Sequence, residues 1–153
     1  MQTALVPLVL LLNGLAAGVL FGTLLGGFPY LASLPAGQYV HAHAYHGQRY
    51  DPAMPLCLVG TVVGDLALVL VAEQAAARGL FGLAGLLALA TAVISLTKNA
   101  PVNRWMRTLD PDDLPADFAA RDPRPSWGAW NRLRSALTIA ALVVNCAALA
   151  VLL

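Results

Sequence analysis

Three histidines stand close together, His41, His43 and His46, in the run Tyr39-Val-His-Ala-His-Ala-Tyr-His46. Neutral imidazole is a ligand for zinc, copper or iron, and near neutral pH it also serves as a base. His41 and His43 would share a face only in an extended chain, and His43 and His46 only in a helix, so no single regular element presents all three. The residues therefore leave open a metal ion, one histidine acting as base with partners from elsewhere, or a solvated loop at a membrane surface.

A second constellation lies near the C-terminus, where Trp127, Asn131, Arg134, Thr138 and Asn145 follow steps of three, four or seven and so share one helix face. In a membrane helix such a stripe is expected to point into the bundle, since lipid does not solvate it. Arg134 taken alone could instead snorkel to the headgroups. Between the two constellations sits Asn99-Ala-Pro-Val-Asn103. Proline removes a backbone donor and disfavours helix in the residue before it, so a helix is expected to end or kink at Ala100. Pro101 can then open a short new helix. Asn99 and Asn103 are free to cap the broken ends or to offer their amides to a ligand.

A third set is deeper. Asp65 falls about 15 Å into an apolar stretch at 1.5 Å per residue, and Asn13, Thr91 and Asn145 fall within a few ångströms of that depth in three other stretches. An ionised group there costs several kcal/mol unless paired, protonated or hydrated, and is functional by default. Asp65, Asn13 and Asn145 are accordingly candidates for ligand contact or for proton passage. The plain alternative is a protonated Asp65 bonded to Asn13 or Asn145, which would only fix helix register.

The elements that must position these residues follow from composition. Of 153 residues, 59% are hydrophobic and 11% charged, and the first charged side chain is Arg49. A soluble domain carries roughly twice that charge. Crossing a hydrocarbon core of about 30 Å takes about 20 apolar residues. Four stretches qualify, at about 3–30, 55–77, 80–96 and 134–153. The first has no positive charge before it and is too long for a cleaved leader, so it is expected to remain. In lipid each segment must satisfy its own backbone amides, which makes all four helical. The expected fold is all-α: one integral membrane domain over residues 1–153, a four-helix transmembrane bundle.

Eight of the nine Lys and Arg residues lie in or beside segments 35–54 and 98–133, and only Arg78 lies at the other side. The positive-inside rule then places those two segments in the cytoplasm and both termini on the non-cytoplasmic side. The expected location is the bacterial inner membrane. Segment 98–133 is cut by Pro101, Pro111, Pro115, Pro123 and Pro125 into short interfacial helices at most, with Ser126 a candidate N-cap for the last span. Gly14, Gly18, Gly22 and Gly26 form a four-residue ladder, and Gly60 and Gly64 repeat the spacing, so close pairing of the first two helices through both sets is expected. Cys57 and Cys146 sit in apolar stretches and read as small core residues. A net charge of +1 without a basic–aromatic cluster gives no reason to expect nucleic acid as a partner.

Four blocks taken in order, Tyr39-Val-His-Ala-His43 with Arg49-Tyr-Asp-Pro-Ala-Met-Pro55, Thr97-Lys-Asn-Ala-Pro-Val-Asn103, and Trp127-Gly-Ala-Trp-Asn-Arg-Leu-Arg134, give the chain a resemblance to the anthrone oxygenase-like family of small four-helix membrane proteins. Where that family often carries a histidine near the last arginine, this chain has Asn131. The resemblance implies an oxidoreductase, a monooxygenase that inserts oxygen from dioxygen into an activated flat aromatic such as an anthrone, giving a quinone. No flavin or nucleotide fingerprint is present, so no cofactor is evident; a metal on His41, His43 or His46 stays open. Such chemistry needs a base and oxyanion donors. His43 suits the base, Arg134, Asn99, Asn103 and Asn131 the donors, and Trp127 and Trp130 a stacking surface. The expected partners are membrane lipid and a small hydrophobic aromatic or quinone-like ligand. The rival reading is a non-catalytic protein that binds a lipid or quinone, or conducts protons or a solute through Asp65, in which case four helices would have to assemble as a homo-oligomer.

Overall fold

The computed structural model describes residues 2–153, all helix and connecting turns without a strand among them. Helix α1 spans Gln2–Gly22 and passes through a π-helical turn, Thr23–Gly27, into α2, Phe28–Ser33. Helix α3, Ala36–Tyr50, lies across one end of the bundle; α4 spans Ala53–Val71 and α5 Ala75–Ile94. A second π turn, Ser95–Asn99, joins α5 to α6, Ala100–Met106. After an irregular stretch and a 3₁₀ turn at Phe118–Arg121, α7 runs over Arg124–Leu152. Four of these continuous helical segments are long and apolar enough to cross a membrane: Gln2–Ser33, Ala53–Val71, Ala75–Met106 and Phe118–Leu152.

Several boundaries differ from those expected. The segment 35–54 is mostly the helix α3, because no proline falls between Pro35, which precedes it, and Pro52, and its two glycines, Gly37 and Gly47, sit near its ends. The third span does not end at residue 96 or Ala100; it widens into the π turn and continues to Met106. Both π turns stand in the same relation to a proline. Phe28 N–H bonds back to Thr23 and is followed by Pro29; Ala100 N–H bonds back to Ser95 and is followed by Pro101. A wider turn makes room for a ring that would clash with the carbonyl behind it, so the chain bulges rather than breaks. Helix α7 opens ten residues before 134, at Arg124, so the segment 98–133 is helical at both ends. Ser126 is not its cap: its hydroxyl donates to the Pro123 carbonyl from inside the first turn. The second span closes at Val71, short of residue 77.

The helices form a ring in which α1 touches α4 and α7, and α5 touches α4 and α7. At the end carrying both chain termini, Val6, Val9, Leu68, Ala72, Ala77, Phe81 and Ala148 form an apolar core. At the opposite, capped end, Tyr39 and Val40 of α3 pack with Leu31, Met106 and Phe118. The outward faces are apolar too, with Leu11, Leu66, Leu70 and Leu86 more than half exposed, as lipid contact requires.

Close packing uses only part of the expected glycine pattern. A methyl group on Gly60 would sit 2.7 Å from Leu12 Cδ1, one on Gly64 would run into Val9, and one on Gly85 would lie 3.1 Å from Asp65 Cβ. These glycines let α4 meet α1 and α5 backbone-close. The ladder Gly14, Gly18, Gly22 and Gly26 does not pack at all, since a methyl group at any of them meets nothing within 4 Å. Helix α1 presents Val9 and Leu12 to α4 instead, from a different face than the glycines occupy. Cys146 is exposed and Cys57 half-buried, so Cys146 is no core residue.

Candidate functional site

Beneath the capped end lies a cavity of about 350 Å³, apolar over most of its wall. Helix α3 supplies His43 and His46 to it, α6 supplies Asn103, α7 supplies Trp127 and Arg134, and the second π turn supplies Ser95. The apolar remainder comes from α1 and α4, with Gly18, Gly22 and Leu58 among them. Both π turns border it, which fits the frequent use of such bulges at functional sites.

Asn103 is the hub. Its Oδ1 accepts from Trp127 Nε1 at 2.9 Å and lies 2.9 Å from His43 Nε2. An indole nitrogen can only donate, so it fixes the Asn103 amide with its oxygen toward both rings. His43 Nε2 must then carry the proton, which leaves Nδ1 as the lone-pair nitrogen. Nδ1 has no partner among the described residues. The His43 ring is 3% exposed, wedged edge-on between Tyr39 at 5.3 Å and Trp127 at 5.2 Å. Burial pushes its pKa below the ordinary value of 6.5, the Asn103 bond opposes that, and the electrostatic influence of His46, Arg134 and Arg107 adds to the lowering. His43 is therefore a neutral base with a defined tautomer.

Arg134 also packs on Trp127, its guanidinium 5.3 Å from that ring's centroid. Asn131 Oδ1 accepts from Arg134 Nε at 3.1 Å and Nη2 at 2.9 Å, and Nη1 reaches Ser95 Oγ at 3.3 Å. All these partners are neutral, and the ion pairs among the described residues, Arg107–Asp51, Arg121–Asp117 and Arg124–Asp122, do not involve it. A cation held by an amide and a hydroxyl in a mostly apolar cavity keeps an unmatched charge. Asn131, buried and outside the cavity lining, aims Arg134 rather than meeting a ligand.

The other candidates divide. Asn99 is buried behind the wall, donating from Nδ2 to the Trp127 carbonyl at 3.3 Å, and so pins the second π turn to α7. Trp130 lies outside the cavity with Lys98 Nζ 5.1 Å from its ring centroid. The three histidines do not converge: His41 is exposed outside the cavity, and His46 Nδ1 lies 2.7 Å from the Ala42 carbonyl. Among the described residues no three His, Cys, Asp or Glu side chains come together as a metal-binding group. Asp65, Asn13 and Asn145 meet one another, not the cavity. Asn145 Nδ2 donates to Asn13 Oδ1 at 3.1 Å and lies 3.5 Å from Asp65 Oδ2, while Asn13 Nδ2 donates to the Thr138 carbonyl at 3.3 Å. All three are 0–1% exposed. This layer joins α1, α4 and α7, and the Thr91 and Thr138 hydroxyls, 3.1 Å apart, tie α5 to α7 beside it.

Ser95 lines the cavity and was passed over by the sequence reasoning, as was Tyr39, which packs against His43 from outside the lining. Thr91, Ser95, Asn99 and Asn103 recur every four residues, a polar stripe that signals Ser95. Tyr39, whose hydroxyl is buried without a partner and whose pKa burial raises, gave no such signal.

A model of the anthrone oxygenase family matches residues 41–144, more than half of the chain. The chain belongs to the anthrone oxygenase family. The matched stretch includes His43, Asn99, Asn103, Trp127, Asn131 and Arg134 and leaves out α1. No curated protein and no solved structure matches the chain.

Proposed function

We propose that this membrane protein is an oxygenase that converts an activated methylene of a planar, polycyclic phenolic substrate of the anthrone type to a carbonyl with dioxygen. Its family membership supports an oxygenase-like membrane protein. The observation that carries the finer reading is that one cavity is lined by two side chains packed on Trp127, a histidine whose buried Nδ1 has no partner and an arginine that lacks a carboxylate.

In this reading the substrate lies with its rings among the apolar wall residues and its oxygenated edge toward Arg134. His43 Nδ1 takes a proton from the methylene carbon, leaving a carbanion conjugated with the ring oxygen. Arg134 stabilises the oxyanion, which is the largest available electrostatic contribution in a poorly hydrated site. The Asn103 amide nitrogen, its oxygen already engaged by two donors, is left to donate to the same edge. The carbanion reduces dioxygen and bonds to it, giving a hydroperoxide at that carbon. Loss of the second hydrogen from the carbon and of hydroxide from the peroxide, with protons returned through His43, gives the ketone and water. One dioxygen is consumed, with one oxygen atom in the quinone and one in water.

The test is oxygen uptake by purified protein supplied with an anthrone. Uptake that matches quinone formation one to one, and falls at least 100-fold in both His43→Ala and Arg134→Ala with unchanged melting temperature, supports the reading. Uptake equal in parent and variants refutes it.

A further inference from the structure

We propose that the substrate reaches this cavity sideways from the bilayer, through a slot between α1 and α4 whose α1 wall is Gly18 and Gly22, and that this bare wall selects flat, apolar molecules. The choice of ligand class rests on the oxygenase reading; the slot itself does not.

Four observations lead there. Gly18 and Gly22 line the cavity, yet a methyl group added to either meets no atom within 4 Å, so open space adjoins them. Helices α1 and α4 touch at Leu12 with Gly60 and at Val9 with Gly64, toward the terminal end, while nearer the capped end both helices line the cavity. There the α4 wall is Leu58 and Val59, and Val59 is 56% exposed although it also lines the cavity. A residue that faces both the cavity and the outside marks an opening.

Depth settles what the opening faces. Measured from Asn13, Gly18 and Gly22 lie about 8 and 14 Å toward the capped end, and Val59 lies about 9 Å from Asp65 in the same direction, at 1.5 Å per residue. These distances fall inside the half-thickness of about 15 Å of hydrocarbon. The aqueous side is crossed by α3, whose C-terminal Asp51 is bridged to Arg107, just past α6, at 2.6 Å.

The inner end of the slot points to a ligand. His43, 3% exposed, has a nitrogen without a partner, and Arg134 has no anionic partner. A wall without side chains lets a planar ring approach the α1 backbone at van der Waals distance, about 3.5–4 Å. A branched or puckered molecule gains less from the same surface. A molecule oriented this way keeps its rings at hydrocarbon depth and its polar edge at the membrane boundary.

The experiment uses the full chain in nanodiscs with 1,8-dihydroxyanthraquinone as the probe and quenching of tryptophan fluorescence as the readout. The parent should bind; Gly18→Leu and Gly22→Leu should slow association at least tenfold, and Gly14→Leu should stay within twofold. Val59→Trp, on the facing wall, should slow it as well, which covers the case of a glycine variant that fails to fold. Parental rates in Gly22→Leu and Val59→Trp overturn the proposal, as does a parent that does not bind. Equal slowing in Gly14→Leu, accompanied by conversion of a dimer to a monomer in mass photometry, overturns it in favour of a second copy on the glycine column. Probe binding without oxygen uptake from an anthrone refutes the oxygenase reading and leaves the slot standing.

Discussion

Replacing Asn103 by leucine tests the hub of the site. The two side chains are close in volume, so the change removes a hydrogen-bonding group with little cavity cost. It strands two donors, Trp127 Nε1 and His43 Nε2, in rings that are 6% and 3% exposed. An unsatisfied buried donor costs about 1–3 kcal/mol. Side-chain hydrogen bonds in membrane bundles average nearer 0.6 kcal/mol, and the two donors share one acceptor, so their costs do not add. A loss of about 1–3 kcal/mol is expected, with Trp127→Phe costing less because His43 keeps its partner. The assay is reversible unfolding in mixed micelles, read together with the rate of quinone formation, which should fall because His43 loses its fixed tautomer. Stability within about 0.5 kcal/mol of the parent with an unchanged rate would refute the assignment of Asn103 as the group that orients both rings.

The remaining expectations are brief. Since the His43 pKa lies below 6.5, its base form persists as the pH falls through 6.5, and the acid limb of kcat/KM should lie below that value and not above it; a limb above pH 6.5 would contradict the neutral buried base. Gly64→Leu should lower stability by about 1–3 kcal/mol through overlap with Val9, while Gly14→Leu should not, as thermal unfolding in detergent would show. Asp65→Asn should fold, because Asp65 is fully buried beside Asn145 with an unpartnered Oδ1 and no cationic partner among the described residues, so a neutral amide of the same shape can replace it; infrared spectra should lose a protonated-carboxyl band on substitution, and loss of a carboxylate band instead would show an ionised Asp65. Reporter fusions at residue 48 and at the C-terminus should report cytoplasmic and non-cytoplasmic locations respectively, and the reverse pattern would invert the orientation expected from the basic residues.

The four spans were legible because lipid admits so few backbone solutions, and a run of about 20 apolar residues has little else to be. Of His43, Asn99, Asn103, Trp130, Asn131 and Arg134, expected to share one pocket because polar groups at one membrane level in a narrow bundle have few places to go, His43, Asn103 and Arg134 line the cavity and the other three do not. Hydropathy stops informing where the hydrocarbon ends. The helical continuation to Met106 and the early start at Arg124 depend on polar and proline-containing sequence that periodicity does not rank. The glycine spacing in α1 signalled a helix contact that does not form, since spacing fixes which residues share a face and not what lies opposite it, here open space and, for Gly18 and Gly22, the cavity. Asn99 and Asn103, four apart, were expected to act alike. The wider π turn between Ser95 and Asn99 leaves Asn99 against the Trp127 carbonyl and Asn103 at the cavity.

The central claim is that His43 and Arg134 serve a reaction between dioxygen and a bound aromatic. A single turnover of an anthrone under ¹⁸O₂, with the quinone analysed by mass spectrometry, addresses it most directly. The account predicts one ¹⁸O per quinone formed by the parent, and no quinone above the uncatalysed background with His43→Ala. Quinone that carries oxygen from water, or that forms equally fast without His43, would contradict it.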